Sequence, residues 1–124
     1  MKDKTKIATG AQGEKIAADF LKKNGYKIID KNFRCPFGEI DLVATEKREI
    51  VFIEVKTRKS TKLGYPEQAV GIRKQRKLSQ LAQWYLLKRK IADTQARFDV
   101  VAITILSSGN EIKLFKNAFD YLEY

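Results

Sequence analysis

The sequence predicts an α/β fold, a mixed β-sheet of about five strands flanked by helices in the order α-β-β-β-α-β-β, and three observations predict it. Two segments, around Ile16 to Leu21 and Leu78 to Leu86, carry apolar residues at helical spacing. Several β-branched and aliphatic runs lie between and after them, and the run from Ile50 to Val55 and the middle of Ala96 to Leu106 are apolar on both faces, as in covered strands. Short polar or glycine-bearing turns separate these runs, and helices on both sides of a mixed sheet suit such an order. At 124 residues the chain fits a single domain, 1–124, long enough to bury a core.

Residues 1–8 read as a frayed basic lead. Thr9 with Gln12 makes a capping-box pattern, after which Ile16, Ala17, Phe20 and Leu21 recur until Asn24-Gly25 supplies a stop. Glu14 falls at the border of that stripe, where it either faces the sheet or is only an acidic first-turn residue favoured by the helix dipole. Tyr26 to Phe33 reads as a strand and Arg34 to Gly38 as a turn. A hairpin over Gly38 to Thr57 follows, then the polar segment Arg58 to Pro66, whose Arg58, Lys59 and Lys62 are placed to touch a substrate. In a second helix, Ile72 to Lys90, the inner stripe is Leu78, Leu81, Ala82, Tyr85 and Leu86. Arg73 and Lys77 point away from it. Lys74 and Gln75 face inward at the helix N-terminus, where anions are favoured, although Lys74 has the alternative of snorkelling past the core edge. Ala96 to Leu106 is the next strand, interrupted by Asp99, which reads as structural rather than as a ligand. Ser107 to Asn110 is a turn and Glu111 to Phe115 a short closing strand. Lys116 to Tyr124 is a tail suited to a short helix covering the sheet or a partner chain.

Composition narrows the chemistry. Twenty-five Lys and Arg against fifteen Asp and Glu leave a net charge of +10 and an isoelectric point near 9.7. That surplus points to a polyanionic partner, nucleic acid ahead of a membrane surface or an acidic protein. With no histidine, Ser-His-Asp and Cys-His catalysis, histidine general bases and histidine-metal nucleases are excluded. The single cysteine, Cys35, excludes an intrachain disulfide and a cysteine-rich zinc site. Any metal must be held by oxygen, which favours Mg²⁺ or Mn²⁺. No apolar run approaches the roughly 20 residues that span a bilayer, and MKDKTKIATG lacks the apolar segment of a secretory signal. The expectation is a cytoplasmic protein without a membrane partner.

The hairpin carries the most specific expectation. Glu46-Lys47-Arg48-Glu49 is the only polar cluster between its two apolar runs, and a turn about the Lys47-Arg48 bond makes paired residue numbers sum to 95. Asp41 then faces Glu54. Like charges at cross-strand distance are destabilising, unless a divalent cation lies between them. Lys56, two residues on, shares the face of Glu54. The alternative is a surface hairpin with a salt bridge from Lys56 to Asp41 or Glu54, but charges in a strand apolar on both faces need partners or a task.

Asp41, twelve intervening residues and then Glu54-Val55-Lys56, preceded by a helix carrying Glu14, is similar to the core of the PD-(D/E)XK nucleases. More closely, GEKIAADFL, GEIDLVA, IVFIEVKTR and AVGIRKQRKL together resemble the YraN family of predicted endonucleases, itself similar to the archaeal Holliday-junction resolvases. The resemblance runs from about Gly10 to Phe115 and implies a restriction-endonuclease-like core. It also implies that Asp41 and Glu54 hold the metal, with the Val55 carbonyl as a further ligand and Glu14 completing the shell directly or through water. Lys56 would orient or deprotonate the attacking water, and the reaction would be hydrolysis of DNA phosphodiesters, branched or structured DNA included. Arg58, Lys59, Lys62, Arg73, Lys74, Gln75 and Lys77 are the expected nucleic-acid contacts, and a resolvase-like homodimer would bring two sites to two strands. Gly38-Glu39 departs from the superfamily, which often has proline just before the metal-binding Asp; that proline is not a ligand. The alternative is a non-catalytic module binding DNA, RNA or a ribonucleoprotein on the same fold.

Overall fold

The computed structural model describes residues 4–59, 71–91 and 95–120, with side chains from Gly10 onward. Its elements follow the predicted order: α1 (Lys4–Lys23), β1 (Lys27–Cys35), β2 (Gly38–Glu46), β3 (Glu49–Arg58), α2 (Ile72–Lys88), β4 (Ala96–Leu106) and β5 (Gly109–Phe119). The strands form one sheet in sequence order. β3 and β4 are parallel, joined through α2, and the other neighbours are antiparallel.

The β2–β3 hairpin has the predicted register, from Glu46↔Glu49 to Leu42↔Ile53. Lys47 and Arg48 both take positive φ, 48° and 71°, the type I′ geometry whose twist matches that of the flanking strands.

Alternation along the strands divides the core between two layers. On one face Ala17, Ala18 and Leu21 of α1 pack with Leu42, Ala44, Val51, Ile53, Val101 and Ile103. On the other, Leu78, Leu81, Ala82 and Tyr85 of α2 pack with Ile40, Val43, Ile50, Phe52 and Phe98. β3 is covered on both sides, which is why its run is apolar without alternation.

Three expectations need correction. β1 runs on to Cys35, so Arg34 and Cys35, expected in the turn, pair with Glu39 and Gly38 and leave only Pro36-Phe37 to turn the chain. α1 begins at Lys4, not near Thr9, so residues 4–8 are helical rather than frayed; no Pro separates Lys4 from Thr9, and the helix propagates through the capping signal. The closing strand does not stop at Phe115. It runs to Phe119, because a left-handed residue, Asn117 at φ 51°, takes up a register shift and returns Phe119 to pair with Phe98. The two rings stack at 4.7 Å. A helix over Lys116–Phe119 is thereby excluded, and residues 121–124 lie outside the described residues.

Candidate active site

Period-two alternation fails at one place on β2. Ile40 packs on the α2 side and Leu42 on the α1 side, although residues two apart should share a face. Asp41 lies between them. Across the β1–β2 ladder, Lys31↔Leu42 and Phe33↔Ile40 bracket the Asn32/Asp41 position, and Asn32 is left-handed, φ 52°, a conformation that Asn tolerates better than most residues. Such an irregularity re-aims a side chain, and Asp41 turns toward β3, where its Oδ2 accepts a 2.8 Å hydrogen bond from the Val55 amide. The regular β2–β3 pairing ends one residue earlier, at Leu42↔Ile53, and the Asp41 carboxylate, close enough to feel the charge of Glu54, takes the place of a ladder carbonyl at the Val55 amide.

The other acidic groups arrive from separate elements. α1 approaches β3 closely at Gly13, where a Cβ would lie 1.9 Å from Thr57 Oγ1; only glycine admits that approach, and Glu14 follows it. Glu14, Glu39 and Asp41 each offer an oxygen within 4.8 Å of the others. With its amide oriented to donate, Asn32 bridges Glu39 and Glu14 at 3.1 Å each. Arg34 meets Glu39 at 2.9 Å. Glu54 is buried, with Lys56 at 3.3 Å and Lys74 of α2 at 3.5 Å. Both lysines lie on the α2 side of the sheet and Glu14 on the α1 side, with Asp41 between.

Electrostatics distinguish this cluster from a second one at the hairpin's turn end. There Glu46 stands directly across from Glu49, but Arg97 bonds both, at 2.5 and 2.9 Å, and Lys116 adds a further bond to Glu46. Burial works against the charge on Glu46, yet the bonds from Lys116 and Arg97 hold its carboxyl below the usual value. Asp99, fully buried beside them, accepts bonds from Tyr26, Arg97 and the Asn117 amide, the structural part the sequence suggested. At the other end the balance reverses. Burial first, and then the neighbouring Glu54 carboxylate, push Asp41 up to about 7 against the Val55 hydrogen bond. Glu14 is also raised, chiefly by burial and with Glu39 and Glu54 adding to it. One group of carboxylates is neutralised by the chain itself; in the other, burial and the neighbouring carboxylates outweigh the nearby cations at Asp41 and Glu14.

Glu14, Glu39 and Asp41 thus offer three clustered carboxylate oxygens, a hard donor set of the kind that Mg²⁺ or Mn²⁺ takes. Of the residues singled out in the sequence, the structure brings Glu14, Asp41, Glu54, Lys56 and Lys74 together. Val55 supplies its amide to Asp41. Arg58 and Lys59 follow at the end of β3, Gln75 sits in the first turn of α2, and Arg73 and Lys77 are exposed on α2. Lys62 lies outside the described residues. Glu39 and Asn32 were not among the site residues expected from the sequence. Glu39 was detectable by its spacing of two from Asp41; nothing local marks Asn32, whose place depends on the kink.

A family model described as Uncharacterised protein family UPF0102 matches residues 13–103. A UPF0102 protein of Syntrophotalea carbinolica is 46% identical over 115 residues, covering 93% of this chain and 94% of that protein. Others from Clostridium botulinum (strain 657 / Type Ba4) and Persephonella marina are 49% and 45% identical, over 89% and 93% of the chain and 92% and 95% of their own lengths. The matched span includes Glu14, Asp41, Glu54 and Lys56, and the chain belongs to the UPF0102 family, the YraN family that its four motifs resemble.

Proposed function

We propose that the protein is a metal-dependent endonuclease hydrolysing DNA phosphodiesters. The observation that carries this is the convergence of Glu14, Glu39 and Asp41, with an oxygen of each within 4.8 Å of the others; burial and Glu54 push Asp41 up to about 7 there, whereas Glu46 at the turn end is already bonded by Arg97 and Lys116. Glu14, Asp41 and Glu54, with Glu39 beside them, would hold Mg²⁺ or Mn²⁺, which lowers the pKa of bound water and polarises a phosphoryl oxygen. Lys56, paired with Glu54 at 3.3 Å, would orient the attacking water and stabilise charge developing on the phosphate oxygens. Lys74, on the other side of Glu54, adds a second ammonium for that charge. The surplus of basic residues favours a polyanionic substrate.

The test is cleavage of linear, flap and four-way DNA with Mg²⁺, with Mn²⁺ and with neither. Activity with either metal that is lost in Lys56→Ala supports the reading. Cleavage by wild type no better than by Lys56→Ala on every substrate ends it.

One observation favours a second reading. Glu54 already has two ammonium partners, so its burial is satisfied by the chain alone, as in a binding module that does not turn over. That module predicts salt-steep nucleic-acid binding that is indifferent to metal.

A further inference from the structure

Arg58, the last residue of β3, carries the one buried side-chain polar atom without a hydrogen-bond partner found among the described residues, its Nη1. A buried donor left unmade is costly, and since Arg58 as a whole is only half-buried, an anion meeting the guanidinium fork could draw that donor out and satisfy it. On β3, Glu54, Lys56 and Arg58 alternate onto the face that Phe52 shares with α2. Successive members stand about 6.6 Å apart along the strand. Arg58 is therefore the third position of a row that begins with a carboxylate in the candidate site and runs outward through two cations. Its neighbour across the parallel ladder is Thr104, buried and uncharged.

We propose that Arg58 is the receptor for a backbone phosphate adjacent to the one that reacts at Lys56, so that the protein grips DNA at two successive phosphates along β3. This rests on the nuclease reading for the identity of the ligand. Glu54 stands at the inner end of the row and Glu14 on the α1 side of the sheet, while Lys56 and the exposed Lys59 flank Arg58. That arrangement suits a polyanion passing over the strand end. A planar guanidinium fork matches phosphate oxygens in a way that an ammonium does not.

The experiment is equilibrium binding of a labelled four-way DNA junction in EDTA, across a series of salt concentrations, with melting temperatures measured in parallel. Arg58→Met is expected to weaken binding roughly tenfold, the loss of one charge-assisted contact, and to flatten the slope of log K against log salt by about 0.9, the release of one counterion. Its melting temperature should hold or rise, because the unmatched donor is gone. Arg58→Lys should keep the slope but lose affinity, and it carries the test if Arg58→Met does not fold. An unchanged slope and affinity in Arg58→Met, or full affinity in Arg58→Lys, overturns the assignment, as does failure of the wild type to bind DNA. Wild-type binding with the expected Arg58 effects but no metal-dependent cleavage would remove the nuclease reading and leave the phosphate receptor standing.

Discussion

The Asp41 carboxylate accepts the Val55 amide at 2.8 Å, joining β2 to β3 one residue beyond the last regular pair, Leu42↔Ile53. That bond needs only an acceptor at Asp41, whereas burial and Glu54 disfavour its charge, and the two effects separate under mutation.

Asp41 should make the metal-free protein less stable as pH rises. Its folded pKa, about 7, lies above the ordinary 3.8, so the folded state keeps a proton that the unfolded chain has released. Its contribution is fully present below about 3.8 and is lost as pH climbs through about 7, on the order of a few kcal/mol. Asp41→Asn keeps the acceptor and removes the titration, so near pH 8 it should unfold at higher denaturant than wild type while losing all cleavage. Mn²⁺ should raise the melting temperature of wild type and not of this variant, since only a bound ligand stabilises by mass action. Equal pH profiles for the two proteins would contradict this account.

Gly13 sets how closely α1 approaches β3. Gly13→Ala puts a methyl 1.9 Å from Thr57 Oγ1 and 3.0 Å from Thr57 Cβ and Cγ2, so overpacking of about 1–3 kcal/mol is expected. Thr57→Ala in the same chain should recover part of it. Strict additivity in that double-mutant cycle would mean that the contact is not the cause.

The turn can be improved. Lys47 and Arg48 occupy a type I′ turn with φ of 48° and 71°, where Asn-Gly is preferred. Lys47→Asn with Arg48→Gly should stabilise the protein by about 1–2 kcal/mol, read by urea denaturation, with DNA cleavage unchanged.

Arg97→Met should be among the most damaging single changes. It strips the guanidinium from Glu46, Glu49 and fully buried Asp99, and breaking a buried ion pair by removing one partner costs about 3–5 kcal/mol. A loss under about 1 kcal/mol in denaturant titration would show that the network is dispensable.

Asn32 has a backbone role and an amide role. Asn32→Gly retains the left-handed conformation and deletes the bridge between Glu14 and Glu39. It should weaken metal-supported cleavage several-fold, about the value of one hydrogen bond, with little change in melting temperature. Asn32→Val should instead lose stability, since a β-branched residue at positive φ is strained.

The hairpin was legible because one polar cluster alone could turn it, and that fixed the 95 register, which the strands keep as far as Leu42↔Ile53. The layers were legible for the same kind of reason: periods of 3.6 and 2 assign faces without any tertiary information. The extra turns of α1 and the last residues of β5 were not, since helix propagation and a left-handed Asn117 decide them and neither leaves a pattern. In the candidate site, Asp41, Glu54 and Lys56 followed from spacing along β2 and β3. The part of Asn32 did not, because it depends on a kink that interrupts the very alternation by which faces are read.

Asp41 sits where two ladders meet. The pairs Lys31↔Leu42 and Phe33↔Ile40, whose residue numbers sum to 73, bracket it on the β1 side, and on the β3 side it lies one residue beyond Leu42↔Ile53, the last pair of the register of 95. A redesign of either flanking turn can therefore vary its residues freely but not its length. One residue added at Pro36-Phe37 shifts Asp41 against Asn32, and one added at Lys47-Arg48 shifts it against Glu54 and Val55, since a slip by one reverses every side chain on the strand. Deletions and insertions in these two turns should be among the least tolerated in the chain, although both turns lie at the surface, where length changes are ordinarily absorbed.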